Sequence, residues 1–404
     1  LLNSHECRVN NMAETRFHGV RVRENADLVT AINDIDSSVI GIVAVADDAK
    51  TFPLDKPVLL TRVMDVLGKA GKTGTLYKSL KAIADQVSTR VVVVRVAAAK
   101  EGDGQPTQTQ LVIGEVKNDG TYTGMQALLV AEQNEAVGVR PRILAVPSLD
   151  TKEVVAALVT VAKKLRAFVY AGCPGCNTVQ EAVTWRADLA HREVMLIWPD
   201  FIAYNPNSGQ NEAFPASAYA CGLRAKIDHE QGWHKSLSNV AVNNVLGISV
   251  PVFWSLQAED SDAETLNDKE ITTLIKRNGF RFWGNRTLDT TTYTFGTYTR
   301  TAQSLADTIA ESQFETVDKP LTPSNVKDVL SDIRAKLSAL VTAGKLIGAE
   351  CWYDVVDNGT TDLRQGIVRI RYRYTPVPPL EDLELHQTFT DEFFDGAFAS
   401  LGGE

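Results

Sequence analysis

GTLYKSLKAIADQVSTRVVVVRV, residues 74–96, contains the two patterns that decide the fold. Within residues 75–87, apolar side chains recur at helical spacing and form one face, at Leu76, Leu80, Ile83 and Val87. Residues 90–96 are almost continuously apolar and β-branched, which is typical of a buried strand. The stretch therefore predicts an amphipathic helix followed at once by a buried strand.

The same alternation of strands and helices extends over much of the first 200 residues. Strand-like segments occupy residues 38–46, 57–61, 142–146, 168–172 and 194–198, and helical patterns occupy residues around 151–166 and 179–190. Strands that alternate with helices in this way predict an α/β layer with a largely parallel sheet.

From about residue 214 the pattern changes to longer helices and a pair of strands. Helices are predicted at residues 214–231, 297–313 and 325–341, and strands at 349–356 and 365–374. Thr322 and Pro323 are a typical N-cap and first-turn pair for the third helix. In the second strand apolar and arginine side chains alternate strictly, which indicates one packed face and one exposed face.

Composition excludes several classes of protein. The chain has 404 residues and a formal net charge of −9, whereas a nucleic-acid-binding protein usually has a basic balance or a basic block. Its longest apolar run, residues 91–99, is too short to span a membrane. Five cysteines in a chain of this length fit reduced thiols in a cytosolic compartment. We therefore expect no nucleic-acid partner and no membrane insertion.

The glycine-rich run GKAGKTG, residues 68–74, resembles a phosphate-binding loop only in part. Such a loop needs four residues between its first glycine and the Gly-Lys pair, and here that position is Val66. A turn before the helix of residues 75–87 is the favoured interpretation, and no cofactor is predicted.

Two other motifs suggest metal or redox chemistry but lack the residues to complete it. Cys173 and Cys176 have the spacing of a zinc knuckle or a redox pair, yet no second ligand pair follows, so a turn with two incidental thiols is the alternative. His229 and His234 are five residues apart, whereas the zinc motif HExxH needs four. We predict no catalytic residue and no metal ligand.

The helix of residues 325–341 carries a basic stripe beside its apolar face. Val326, Leu330, Ile333, Leu337 and Val341 make the apolar face, and Lys327 and Arg334 line the stripe. This stripe suits either docking on an acidic surface or simple solvation. The extended segments at the two chain ends likewise fit either fraying or addition of a strand to a neighbouring sheet.

Several stretches together resemble the tail sheath proteins of contractile-tailed bacteriophages, especially those of temperate enterobacterial myophages. They match in order and spacing from about residue 13 to the end: FHGVRV (17–22), FPLDKPVLLT (52–61), GTLYKSLKAIADQ (74–86), VMLIWPDF (194–201), YACGLRAKIDHEQGWHKSLSNV (219–240), LIKRNGFRFWGNRTL (274–288) and YTPVPPLEDLEL (374–385). The sheaths of R-type phage-tail-like bacteriocins are close relatives of this family.

The resemblance implies a combined α/β and α+β fold with five parts. Residues 1–12 are expected to be a disordered extension or tag, with Met12 as the natural start, and residues 13–29 an N-terminal arm and strand of an inner domain. Residues 30–200 would be an inserted outer α/β domain, residues 201–379 the inner sheath domain, and residues 380–404 a C-terminal arm. In this arrangement Thr75 caps the helix that follows the glycine-rich turn.

The resemblance also implies an assembly. Six subunits would form a ring, rings would stack helically around a tail tube, and baseplate and tail terminator proteins would bind the ends. Arm strands containing Val20, Val22, Leu383 and Leu385 would complete a neighbour's sheet at a receiving strand containing Val368, Ile370 and Tyr372, and Lys327 and Arg334 would face the tube. The particle would be a virion or a bacteriocin assembled in the host cytoplasm. A type VI secretion sheath component and an α/β enzyme are the alternatives.

Overall fold

The computed structural model describes residues 36–394 apart from residues 101, 103 and 259. Its strands are β1 (Ile40–Val45), β2 (Pro57–Leu60), β3 (Val91–Val96), β4 (Ile143–Ala145), β5 (Phe168–Gly172), β6 (Val194–Ile197), β7 (Phe201–Asn205), β8 (Gln210–Phe214), β9 (Ala241–Val242), β10 (Gly247–Ile248), β11 (Ile271–Lys276), β12 (Phe280–Trp283), β13 (Leu346–Tyr353) and β14 (Ile370–Pro376). Its α-helices are α1 (Leu76–Ala84), α2 (Gln108–Ile113), α3 (Lys152–Leu165), α4 (Val179–Arg186), α5 (Ala216–Glu230), α6 (Asp262–Asn267), α7 (Gly296–Ser312), α8 (Pro323–Thr342) and α9 (Thr360–Arg364).

A nine-stranded sheet organises most of the described chain. Its strand order is β2-β3-β1-β4-β5-β6-β11-β12-β9. The strands from β3 to β11 in this order run parallel, whereas β2, β12 and β9 are antiparallel to their neighbours. The largely parallel sheet predicted from the alternating pattern is therefore confirmed.

Strand β1 shows why these segments are apolar throughout. Ile40 and Ile42 point into one apolar core and Val43 and Val45 into the other, because successive side chains of a strand face opposite ways. All six residues of β1 are buried, and the same is true of β3. A strand covered on both faces carries few polar residues, which explains the apolar runs. The exception, Arg95 in β3, donates to Phe52 O and Ala46 O.

Helices α1 and α5 pack together in the core on one side of the sheet. A glycine at position 222 makes their close approach feasible, since a Cβ there would lie 2.9 Å from the Cα of Ile83. Helix α5 is the helix predicted at residues 214–231, and α1 ends at Ala84, three residues earlier than predicted.

The large sheet continues beyond residue 200. β11 pairs in parallel with β6, at Ile271 with Leu196 and Thr272 with Ile197. Residues 194–197 and 271–276 therefore share one layer, and α5 packs on strands β4 and β5 of that layer. The grouping of residues 30–200 and 201–379 into outer and inner domains stays a prediction about the assembled particle.

Two smaller sheets complete the described residues. β10, β7 and β8 form a three-stranded antiparallel sheet, and β13 and β14 form a two-stranded one. Helix α8 packs on β13 and contributes buried leucines and an isoleucine to a third, separate core. Among the described residues, none of the helices combines the length and apolarity that crossing a bilayer would require.

Candidate functional site

The glycine-rich turn at residues 68–74 surrounds the carboxylate of Asp48. The backbone N–H of Lys72 donates to Asp48 Oδ2 at 2.6 Å, and the Thr73 hydroxyl donates to Oδ1 at 2.7 Å. These bonds, that from Lys72 first, hold the pKa of Asp48 below its usual value. Gly71 has a φ of 78°, and a Cβ there would lie 2.3 Å from Asp48 Oδ1. An internal carboxylate thus engages the donors that a phosphate would need, which supports the turn interpretation.

Thr75 precedes α1 but does not cap it through its side chain, so the predicted cap is wrong. Its hydroxyl instead accepts a hydrogen bond from Val45 N at 3.2 Å, and its own N–H donates to Val45 O at 2.8 Å. The Thr75 hydroxyl, which a cap would use, is therefore bonded to the end of β1. This contact attaches the start of the helix to the sheet.

The cysteine pair lies in a turn after β5. Cys173 is buried, and burial raises the pKa of its thiol and, to a smaller extent, that of Cys176. A protonated thiol is a poor nucleophile and a poor metal ligand. Across the described part of the chain, we find no group of three or more His, Cys, Asp or Glu side chains arranged to hold a metal ion.

The histidine pair is also divided by the structure. Helix α5 ends at Glu230, so His229 lies in its last turn and His234 lies beyond it. Burial lowers the pKa of His234, and the neighbouring Trp233 is buried against the third core. The two imidazoles belong to different local structures.

Two acids at the carboxyl edge of the large sheet, the buried Asp150 and the partly exposed Asp200, were not predicted. Asp150 follows β4, and burial raises its pKa to about 7. Asp200 follows β6, and burial also raises its pKa. Both carboxylates accept backbone hydrogen bonds, Asp150 from Gly172 N and Asp200 from Ala216 N at the start of α5. No sequence signal marks them, because each follows its strand by several residues.

The predicted receiving strand forms the exposed edge of the two-stranded sheet. Ile370 and Tyr372 lie in β14 and pack on the third core, whereas Arg371 and Arg373 are exposed. This confirms the predicted alternation within β14. β13 is the partner of β14 within the described residues, so each of the two strands has one edge without a strand beside it.

Val368 lies outside the strand, and Asn358 explains why β14 begins late. The Asn358 side chain accepts from Arg369 N at 2.7 Å and donates to Arg369 O at 2.9 Å. The Asn358 amide therefore bonds the N–H and C=O of Arg369, which could otherwise pair with a neighbouring strand. The strand predicted at residues 365–374 is therefore observed from Ile370 to Pro376.

The C-terminal segment leaves the body after an ion pair. Glu381 accepts from Arg286 through both carboxylate oxygens, at 2.9 and 2.8 Å. Beyond it, Leu383 and Leu385 are 66% and 80% exposed, and residues 382–390 form neither helix nor strand. Their alternation with acidic residues is that of a strand with one apolar face. Val20 and Val22, predicted for the N-terminal arm, lie outside the described residues.

Helix α8 has the predicted cap and apolar face. The Thr322 hydroxyl accepts from Asn325 N, and Leu330, Ile333, Leu337 and Leu340 are buried, with Val326 and Val341 packed beside them. Lys327 is exposed on this helix. Arg334 is also exposed, yet its Nε donates to Cys351 O of β13 at 2.8 Å. Arg334 therefore supports the sheet as well as presenting charge.

Comparison with known proteins shows to which family the chain belongs. Three family models match in succession: the tail sheath protein Gp18 domain III N-terminal region at residues 37–96, the phage tail sheath protein central domain at 120–288, and the phage tail sheath C-terminal domain at 289–390. The major tail sheath protein of Serratia phage KSP20 is 69% identical over 394 residues, covering 97% of this chain and 100% of the relative. This chain belongs to the phage tail sheath protein family.

Further relatives support the assignment. The tail sheath protein of Escherichia phage P2 is 47% identical over 393 residues and covers 95% of this chain and 98% of its own length. A putative prophage major tail sheath protein of Pseudomonas aeruginosa is 33% identical over 383 residues, with 93% of this chain and 97% of its own covered.

Solved structures show the same fold at low identity. The contracted sheath complex of PVC, an extracellular contractile injection system, has a TM-score of 0.68 and 17% identity, covering 94% of this chain and 99% of that one. The contracted helical sheath of the anti-feeding prophage has a TM-score of 0.66 and 19% identity, covering 94% and 100%. The mixed α/β fold of this tail sheath family member is therefore that of contractile sheath subunits.

Proposed function

We propose that this chain forms the contractile sheath around the inner tube of a phage tail. Subunits polymerise as stacked hexameric rings, and contraction drives the tube through the bacterial envelope. The observation that carries the proposal is the C-terminal segment, which exposes leucines and phenylalanines and follows a two-stranded sheet whose outer edges have no strand beside them among the described residues. A subunit built to remain alone would cover both features.

The C-terminal segment is suited to adding a strand to a neighbour. Residues 380–404 would act as one arm and residues 13–29 as the other, each completing a neighbour's sheet at Ile370 and Tyr372, with Val368 just before them. Main-chain hydrogen bonds give such an added strand affinity, and alternate side-chain contacts give it register. Leu383 and Leu385 would lie on one face of the added strand, with Val20 and Val22 in the equivalent role in the N-terminal arm.

Contraction in this proposal is a repacking of nearly rigid subunits. The nine-stranded sheet keeps its internal contacts, while the arms hold neighbours together as the lattice shortens and widens. New burial between subunits supplies the energy at ~25 cal/mol per Å² of apolar surface, so ~100 Å² per subunit contributes roughly 2.5 kcal/mol. The extended sheath is then a kinetically trapped state that a baseplate signal releases.

The inner part of each subunit would contact the tail tube. Residues 201–379 would lie toward the tube and residues 30–200 outward, with Lys327 and Arg334 facing the tube protein. Exposed charge pairs are worth ~0–1 kcal/mol each, which suits a surface that must release. Baseplate and tail terminator proteins would bind the two ends of the sheath, which would assemble in the bacterial host cytoplasm and become part of the virion.

Electron microscopy of two purified chains tests the proposal. We expect the full chain to form hollow helical tubes at increasing concentration, and a chain truncated after Glu381 to remain a folded monomer. Retaining Glu381 preserves the ion pair with Arg286, so circular dichroism and thermal unfolding should match those of the full chain. Normal tubes from the truncated chain would refute the role of the C-terminal arm. Compact monomers from both chains would refute self-assembly.

A further inference from the structure

Helix α7 carries two clusters in which one carboxylate lies between two guanidinium groups. In the first, Asp228 of α5 pairs with Arg300 of α7 and with Arg224. Arg224 Nε donates to Asp228 Oδ1 at 2.9 Å, and its Nη2 donates to Gly232 O at 3.0 Å. The side chains of Asp228, Arg224 and Arg300 are 1%, 2% and 4% exposed, so the cluster is isolated from water.

The second cluster lies two turns further along α7. Asp307 pairs with Arg142, which precedes β4, and with Arg166, which follows α3. The distance from Arg166 Nη1 to Asp307 Oδ1 is 2.6 Å. Arg142 also donates to Leu165 O at 3.1 Å. The side chains of Asp307 and Arg142 are 5% and 10% exposed, whereas that of Arg166 is 46% exposed and reaches solvent.

The buried charges of the two clusters do not balance. Three buried guanidinium groups, on Arg142, Arg224 and Arg300, face two buried carboxylates. Burial lowers the pKa of Arg142 to about 10 and lowers that of Arg300, yet a guanidinium stays charged at neutral pH. Burying a charge without a counter-charge is expensive. The described residues therefore leave one positive charge to be compensated.

Neighbouring side chains do not supply that compensation. Glu132 and Glu311 lie near enough to Arg142 to raise its pKa slightly, but both are exposed. Tyr170 and Cys221 lie close to Arg300, and burial raises the pKa of both, so they stay neutral.

A small cavity joins the two clusters. Arg142, Arg166 and Arg300 line it together with the Asp307 carboxylate, Gln303 and Ser304, and the centre of a water molecule can occupy about 10 Å³ within it. Arg300 is 3% exposed, and its buried Nε has no hydrogen-bond acceptor among the described residues. The cavity thus has room for one small species that could accept a hydrogen bond from Arg300 Nε.

We propose that this cavity binds one small monovalent inorganic anion, with chloride as the natural occupant. Arg300 Nε donates to the anion, and Arg142 and Arg166 supply the surrounding positive charge. Asp307 also lines the cavity, but Arg142 balances its charge, so the single excess positive charge matches a monovalent anion. The small volume favours a monatomic ion over one of the size of phosphate. The anion would connect Arg300 of α7 with Arg142 beside the central sheet, while Arg300 keeps its ion pair with Asp228 of α5.

Thermal unfolding of the full chain in sodium chloride, sodium bromide and sodium gluconate at equal ionic strength tests the proposal. A ligand of the folded state raises the unfolding temperature with its concentration. We expect a saturable rise in both halides and none in gluconate, which is too large for the cavity. Bromide-soaked crystals should show an anomalous peak beside Arg300 Nε. Equal unfolding curves in the three salts, or a peak elsewhere only, would overturn the proposal.

Two variants and a matched control separate the site from general salt effects. Arg166→Gln removes a lining charge that is half exposed, and losing a charged hydrogen-bonding group should weaken apparent halide affinity about tenfold. Ser304→Val fills the cavity without changing charge and should abolish the halide dependence. Lys164→Gln removes an exposed charge two residues from Arg166 and should leave the affinity unchanged. Equal weakening by Lys164→Gln and Arg166→Gln, or full halide dependence in Ser304→Val, would contradict the site.

Discussion

The nine-stranded sheet and the C-terminal region of this chain are built in opposite ways. Every residue of β1 and β3 is buried, and helices cover the sheet from both sides. β14 is only half buried, and the segment after it exposes Leu385 by 80% and Phe389 by 89%. The first region buries its apolar surface within the subunit, whereas the second leaves apolar side chains exposed. The proposed arm would therefore separate intrinsic stability and assembly into different parts of the molecule.

Substituting the leucines of the proposed C-terminal arm should have the largest effect on tube formation. The double variant Leu383→Asp and Leu385→Asp places charges where a neighbour's apolar surface is expected, so we expect complete loss of tubes by electron microscopy. Monomer stability should change by less than about 0.5 kcal/mol, because both side chains are exposed in the subunit. The control, Asp382→Asn with Glu384→Gln, alters the other face of the same strand and should still polymerise. Tubes from the leucine variant would show that Leu383 and Leu385 are not needed for assembly.

A substitution in the large core should have the opposite signature. Phe282 of β12 is fully buried, with its ring 5.4 Å from that of Phe201. Phe282→Ala should lower the free energy of unfolding by about 3–5 kcal/mol, measured by urea denaturation. Phe389→Ala removes the same ring from the exposed arm and should change monomer stability by less than about 0.5 kcal/mol. Similar losses in the two variants would show that the regions are not independent.

The buried carboxyl group of Asp150 should make the stability of the subunit depend on pH. Its pKa rises from 3.8 to about 7 on burial, so the folded chain binds this proton more tightly than the unfolded chain. Stability from this group is therefore present at low pH and falls as pH rises from about 4 to about 7, by at most about 1.4 kcal/mol per unit. Asp150→Asn should flatten that slope in urea titrations. Asp65→Asn, at an exposed site, should retain it, and a steep slope in Asp150→Asn would assign the effect elsewhere.

The smallest effect is expected on the surface of α8. Lys327→Glu should weaken co-assembly with the tube protein by roughly 0–1 kcal/mol per subunit, most clearly at low salt. Lys319→Glu, a matching charge reversal at an exposed site before the helix, should have no effect. Arg334 is unsuitable for this test because its substitution also removes the hydrogen bond to Cys351 O. Co-sedimentation of sheath and tube measures the difference, and equal effects of both lysine variants would argue against a tube-facing helix.

Periodicity in the sequence was sufficient to predict the parallel sheet, α5, α7, α8 and the pairing face of β14. It was insufficient where distant residues decide the outcome. The pairing of β11 with β6 joins residues more than 70 positions apart, which no local pattern could indicate. The receiving strand was predicted five residues too early because the Asn358 side chain, and not a local pattern, sets its start.

The candidate site shows the same limit at the level of single side chains. The basic stripe on α8 was predictable from a helical projection, but the partner of Arg334 lies on a strand that follows the helix. The glycine-rich turn was recognisable, whereas its occupant, Asp48, lies 24 residues before Lys72. The buried charge clusters beside α7 combine residues from α5 and α7 with residues next to β4 and α3. No local sequence motif marks such a combination.

The ion pair between Arg286 and Glu381 gives the C-terminal segment a fixed origin. From that origin the four residues from 382 to 385 can span at most about 13–14 Å when fully extended. If the proposed arm holds a neighbour at Leu385, the distance between Glu381 and that attachment cannot exceed this length. The short connection would then set an upper bound on how far the two attachment points move apart during contraction.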